Sequence, residues 1–311
     1  MDPIICIVGP TASGKTALAV HLAKALGGEV VSCDSMQLYR LLDIGTAKPT
    51  EAEMDGVRHH MIDIADPDEP FSVGKFVSMA DSAVQDILRR GRPAILAGGT
   101  GLYIDSLIAG RDFAPGPATG ARERLEARMA HEGPEELLRE LAAVDPETAA
   151  RLHPADKKRI LRALEVYAET GRTITQHNLD TQLRPARYHP FWIGLDFVSR
   201  AELYRRIDLR VDRMLEQGLL DELRALAARG IDPRATAMQA IGYKEFFPAL
   251  AGEIPVEQAA ELCKQHSRNY AKRQLTWFRR NGEIHWLYRT GQESDDAIFA
   301  AARQILPDFF L

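Results

Sequence analysis

The sequence predicts an α/β fold: a parallel sheet with helices on both faces, interrupted by a helical insertion. Three observations predict it. Strand-like apolar runs alternate with helical stretches over residues 1–110. A glycine-rich segment, Gly9 to Thr16, joins the first strand to the first helix. Residues 121–184 then yield helices and no strand, before strand patterning returns at Phe191.

Taken in order, the apolar run Ile4–Val8 predicts a first strand, and the alanine- and leucine-rich stretch Thr16–Leu26 a first helix. Further strands are expected at Glu29–Cys33, His60–Ile64 and Ala94–Ala97, with a helix over Val73–Arg90. Phe113–Gly120 carries two prolines and two glycines and reads as a linker. Helices follow at Ala121–Glu132 and Pro134–Ala143. A third opens at Asp145, which supplies an N-cap ahead of Pro146. A fourth, Ala155–Thr170, is stopped by Gly171. The sheet resumes with Phe191–Phe197. Helices are expected at Arg200–Gln217, Leu219–Arg229 and Val256–Arg280, and a last strand at His285–Tyr288. The expected organisation is a first core part over 1–113, an insertion over 114–190, and core completion over 191–311.

The segment Gly9-Pro10-Thr11-Ala12-Ser13-Gly14-Lys15-Thr16 is a complete G-x-x-x-x-G-K-[ST] phosphate loop, in the strand–turn–helix context that such a loop needs. Its backbone N–H groups and the positive end of the helix form a cradle for a di- or triphosphate. Lys15 would reach phosphate oxygens and Thr16 would hold a Mg²⁺. The core is therefore expected to be P-loop NTPase-like, with ligands gathered at the C-terminal ends of the strands.

Composition narrows the setting. The 311 residues carry a net charge of -5, so any nucleic-acid surface must be local. Asp2 and Pro3 stand where a signal peptide would be basic, and no apolar run approaches a membrane span. Cys6, Cys33 and Cys263 are scattered without zinc-ligand spacing and suit buried thiols in a reducing cytosol. A cytoplasmic monomer without a membrane partner is expected. His59 and His60 are strand neighbours facing opposite ways, which favours a structural role over a metal site.

Asp34 falls just past a strand end, on the rim of the phosphate loop. A carboxylate there can hold Mg²⁺ through water, take a proton from a substrate, or cap the following helix. The fourth strand runs into Gly98-Gly99-Thr100-Gly101, where an ATP hydrolase usually has an acid. This departure suggests that the bound phosphates are a leaving group and are not hydrolysed. Two cationic clusters stand out. One is Lys157-Lys158-Arg159-Ile160-Leu161-Arg162. The other runs from Lys264 to Arg280 with no acid, interleaved with His266, Tyr270, Trp277 and Phe278. Such a run is either a solvated face or a place where bases stack, and its aromatics equally suit core contacts of the last helix.

Together these pieces resemble the bacterial tRNA dimethylallyltransferase family, also called tRNA isopentenyltransferases. The resemblance rests on Gly9–Thr16, Asp34–Gln37, Asp43–Pro49, His59–Asp63, Gly98–Tyr103, Arg151–Pro154, Lys158–Val166, Ala240–Lys244 and Arg273–Arg279, in that order. It implies transfer of a dimethylallyl group from dimethylallyl diphosphate to the exocyclic amine of an adenosine. That adenosine is the one 3′ of the anticodon in tRNAs reading codons that start with U. It implies the tRNA anticodon stem-loop as partner, gripped by the insertion, beside the Mg²⁺ cofactor already expected at Thr16. Gly9, Pro10, Thr11, Ala12, Ser13, Gly14, Lys15 and Thr16 would bind the diphosphate. Asp34, Lys15 and Thr100 form the implied catalytic set. The implied tRNA contacts in the core are Asp34, Ser35, Met36, Gln37, Thr100, Gln239, Ala240, Ile241, Gly242, Tyr243 and Lys244. Those in the insertion are Arg122, Lys158, Arg159, Ile160, Leu161 and Arg162. Lys158 stands where many relatives have glutamine.

On the residues alone, two other functions fit the loop and Asp34. One is a small-molecule kinase binding ATP; the other is a non-enzymatic RNA-binding module that senses a nucleotide. The insertion and the cationic, aromatic C-terminal helix speak against the first. For the favoured reaction, Asp34 is the expected base, and Gln37 with Gln239–Lys244 would read neighbouring bases.

Overall fold

The structure is a computed structural model, and it describes residues 2–111, 113, 119–182 and 185–310. Most of the expected linker 113–120, and Arg184, lie outside the described residues. The chain divides into two compact units, Met1–Ile108 with Arg187–Leu311, and Ala109–Ala186.

In the first unit the strands are β1 (Asp2–Val8), β2 (Glu29–Ser32), β3 (His59–His60), β4 (Ala94–Gly98), β5 (Tyr188–Phe197) and β6 (His285–Arg289). Among the described residues they form one sheet in the order β3-β2-β4-β1-β5-β6, parallel throughout. Strand alternation sorts the core into two layers. Ile4, Cys6 and Val8 of β1 point into one layer and Ile5 and Ile7 into the other. The second layer holds the helix Lys15–Leu26, through Leu18 and Leu22, and the helix Asp295–Ile305, through Ile298 and Ala302. Both layers are buried, as a parallel sheet requires. The fold is the P-loop NTPase-like α/β arrangement, with its loop on the rim where β1 ends.

Three expectations need correction. The strand expected over His60–Ile64 is only His59–His60, because Met61 and Asp63 adopt left-handed backbone, with φ of 64° and 55°. β5 begins at Tyr188, paired with Asp2 of β1, so residues 188–190 belong to the sheet and not to an insertion over 114–190. The helix Asp295–Ile305 was not anticipated, although Ser294 accepts the Ala297 N–H and caps it. Of the histidine pair, His60 bonds to buried Glu29 at 2.7 Å and His59 to the Val57 carbonyl at 2.9 Å, both structural ties.

The second unit is helical among the described residues: Ala121–Glu132, Pro134–Val144, Pro146–Ala149, Lys157–Thr170 and Ile174–Gln182. Leu125, Met129, Leu137, Leu141, Ile160, Leu161 and Leu164 form its core.

Candidate active site

The loop after β1 wraps from Gly9 to Gly14, whose left-handed backbone (φ 93°) caps the helix Lys15–Leu26. Ala12 is left-handed too, at φ 64°. Lys15 donates to the Pro10 carbonyl at 2.6 Å. Burial, and next the charge of nearby Arg210, lower the Lys15 pKa to about 7, while Asp34 acts the other way. The loop is tied to the rest of the rim by Gln274, which is buried. Its side chain accepts the Thr11 N–H at 2.9 Å and donates to the Gly99 carbonyl at 3.0 Å.

Beside the loop lies a cavity of about 290 Å³. Thr11, Asp34, Ser35 and Met36 supply its sheet side. The helix Arg200–Glu216 contributes Ile207, Arg210, Val211 and Met214, spaced so that they share one helical face. The helix Val256–Phe278 contributes Cys263, Ser267, Tyr270 and Arg273, and the segment 239–244 completes the wall. The lining mixes apolar Met36, Ile207, Val211 and Met214 with polar Asp34, Arg210 and Tyr270. Arg210 donates to the Thr46 carbonyl at 3.1 Å, and burial lowers its pKa against the opposing pull of Asp34. Burial, with the Asp34 charge next, pushes the Tyr270 hydroxyl up to about 12, so it remains a neutral donor.

Asp34 does two jobs at once. Its Oδ1 accepts the backbone N–H groups of Met36 at 2.8 Å and Gln37 at 3.3 Å, fixing the turn after β2. Among the described residues Oδ2 makes no hydrogen bond, and the residue lines the cavity. Thr100 Oγ1 accepts the Ser35 N–H at 3.2 Å, so it steadies the same turn. The loop 43–46 is held from below by Glu222, whose carboxylate accepts the N–H groups of Asp43, Ile44 and Gly45 at 2.8–3.1 Å.

Several expected contact residues have side chains engaged within the fold. Gln37 uses its amide inside the fold: it accepts from Ser32 at 3.2 Å and donates to the Ala47 carbonyl at 3.1 Å, so it is not free to read a base. Tyr243 is wholly buried and donates to Glu222 at 2.5 Å. In the second unit Ile160 and Leu161 are core residues. Arg162 and Arg122 turn toward buried Glu165, at 3.0 and 3.7 Å. Lys158 and Arg159 are exposed. Gln239, Ala240, Ile241, Gly242 and Lys244 line the cavity.

The cationic run from Lys264 to Arg280 is mostly an antiparallel ladder. Lys264 pairs with Asp212 at 2.8 Å and Arg268 with Asp208 at 2.6 Å, while Lys272 lies over the Tyr204 ring. Its acids sit on another helix, which is why the run looked unbalanced in sequence. Local sequence pattern does not mark Arg210, Gln274 or Glu222 as site residues. Arg210 and Glu222 look like ordinary helix-surface charges, and Gln274 acts on a residue 263 positions away.

Fold and rim thus define a phosphate-loop protein whose anion cradle opens beside a half-apolar cavity. The chain matches the family described as IPP transferase over residues 37–281, and it belongs to that family. It is 49% identical over 288 residues to tRNA dimethylallyltransferase 1 of Citrifermentans bemidjiense, covering 93% of this chain and 92% of that protein. The full-length tRNA isopentenylpyrophosphate transferase of Bacillus halodurans is 43% identical, with a TM-score of 0.73, covering 98% of this chain and 96% of the other. A eukaryotic dimethylallyltransferase captured acting on tRNA is 30% identical, with a TM-score of 0.84, covering 98% of this chain and 78% of the other.

Proposed function

We propose that this protein transfers the dimethylallyl group of dimethylallyl diphosphate to the exocyclic amine of the adenosine 3′ of the anticodon, in tRNAs reading codons that start with U, and releases diphosphate. The observation that carries the reading is that one cavity joins the phosphate loop, apolar side chains and the carboxylate of Asp34. A prenyl diphosphate has an anionic end and an apolar end, and an adenine amine needs a base as its bond to carbon forms.

In this reading the loop N–H groups, Lys15 and Arg210 hold the diphosphate and stabilise the charge that grows on it as the carbon–oxygen bond breaks. Met36, Ile207, Val211 and Met214 line the prenyl group and exclude water. Asp34 Oδ2 takes the proton from the attacking amine, while Oδ1 stays committed to the turn. Thr100 keeps that turn in place through Ser35. Thr16 and, through water, Asp34 offer hard oxygen donors that suit a Mg²⁺. When bound, the ion neutralises diphosphate charge. The target base must leave the anticodon stack to enter the cavity. The 109–186 unit grips the anticodon stem-loop through exposed Lys158 and Arg159. The enzyme works as a cytoplasmic monomer.

The test is to incubate the protein with unmodified tRNA and either dimethylallyl diphosphate labelled in its prenyl group or ATP labelled in its γ-phosphate. Prenyl label on the tRNA is the expected result. Phosphate label on a small metabolite would establish a kinase instead, and binding of both ligands without reaction a nucleotide-sensing RNA module.

A further inference from the structure

Arg289 is the last residue of β6 and is 2% exposed. Its Nη1 donates to the Ser13 carbonyl at 3.2 Å, behind the phosphate loop. Its Nη2 donates to Asp295 Oδ1 at 3.2 Å and to the Glu293 carbonyl at 3.3 Å. Nε is buried and has no partner among the described residues. A buried guanidinium with a spare donor is a costly way to fill space, and an apolar side chain would pack there at less cost. Its position suggests what it is for.

The Ser13 carbonyl and the Gly14 N–H belong to one trans peptide plane and point in opposite directions. Holding the carbonyl on the outer side therefore aims the N–H inward, into the cradle. A lock is needed at this point because Gly14, at φ 93°, accepts either sign of φ and lets the plane flip cheaply. A Cβ at Gly14 would collide with Nη1 of Arg289, so the glycine also admits the guanidinium this close. Asp295, which is half exposed, and the Glu293 carbonyl orient the guanidinium from the other side.

We infer that Arg289 is a positioning residue for the leaving diphosphate, setting the Ser13–Gly14 peptide and adding buried positive charge behind the loop. This rests on the reading that the loop binds a diphosphate.

The experiment titrates inorganic pyrophosphate with Mg²⁺ calorimetrically into the wild type, Arg289→Met, Arg289→Lys and Asp295→Asn, with tRNA affinity and thermal unfolding measured alongside. Arg289→Met is expected to weaken pyrophosphate binding about tenfold or more, with tRNA affinity unchanged; ~tenfold corresponds to ~1.4 kcal/mol. Arg289→Lys is expected to recover part of the loss, because an ammonium keeps the charge but cannot span Ser13 and Asp295 as a fork does. Asp295→Asn keeps an oxygen acceptor for Nη2 and removes the charge that offsets the guanidinium, so it is expected to bind pyrophosphate at least as tightly as the wild type; Arg289→Lys decides the matter if Arg289→Met does not fold. Equal pyrophosphate affinity in wild type and folded Arg289 variants, whatever the melting temperature, overturns the role of Arg289 alone. Failure of the wild type to bind pyrophosphate overturns the diphosphate reading and this inference with it.

Discussion

Gln274 ties the phosphate loop to the residue after β4, so removing its amide has a calculable cost. Gln274→Leu keeps the volume and deletes both the acceptor for the Thr11 N–H and the donor to the Gly99 carbonyl. An unsatisfied buried polar group costs about 1–3 kcal/mol. Thr11 borders the open cavity, where water replaces part of its loss, while the Gly99 carbonyl bears the cost in full. The expected destabilisation is thus about 2–4 kcal/mol. A second route leads to the same state. A methyl group at Gly99 would collide with Gln274 Nε2, so Gly99→Ala expels the amide from its seat. The double variant is then expected to cost clearly less than the sum of the two single ones. Urea unfolding of wild type, both singles and the double forms the cycle. Full additivity, or a Gln274→Leu protein as stable as wild type, would refute the argument that the amide bridges loop and strand.

Asp34→Asn preserves the Oδ1 acceptor of the turn and removes only the proposed base. Single-turnover prenyl transfer is expected to slow ~100- to 10,000-fold with tRNA affinity nearly unchanged, and unchanged turnover removes Asp34 from the chemistry. Arg159→Ala is expected to weaken tRNA binding and reduce its salt slope by about one; identical slopes would make that residue a solvated bystander. The Lys15 pKa near 7 predicts a proton balance. At pH 8 the lysine is mostly neutral in the free protein, and an arriving diphosphate favours its charged form. Binding must therefore take up protons at pH 8 and lose affinity as pH rises further. Calorimetry in buffers of different ionisation enthalpy reads this uptake, and Lys15→Met is expected to show less of it. Equal uptake in both proteins contradicts the assignment.

The sheet and the phosphate loop could be read from sequence because each is a local signal. Five consecutive apolar residues of β1 are followed by a glycine motif and a helix, and each signal needs only its own neighbours. β3 misled because apolar Met61, Ile62 and Ile64 look strand-like, yet the backbone there turns left-handed, while Lys48 draws Asp63 to 2.5 Å. The cavity was only partly visible. Asp34 announced itself by its distance from a strand end, and the 239–244 segment by resemblance. Arg210 carries no local mark that separates it from Arg205 or Arg213 on the same helix. Its meaning comes from the Thr46 carbonyl, 164 residues away. Buried Tyr243, Ile160 and Leu161 show the converse. They sit in motifs that surround contact residues, yet they serve the cores behind them.

The central claim is that the loop at Gly9–Thr16 grips the diphosphate of a prenyl donor whose hydrocarbon end lies in the adjoining cavity. A crystal of the protein with a non-reactive dimethylallyl thiodiphosphate and Mg²⁺ tests it most directly. The account predicts diphosphate oxygens on the backbone N–H groups of the loop and on Lys15, with the five-carbon tail against Met36, Ile207 and Met214. Density for the analogue elsewhere, with the loop free of it, would contradict the account.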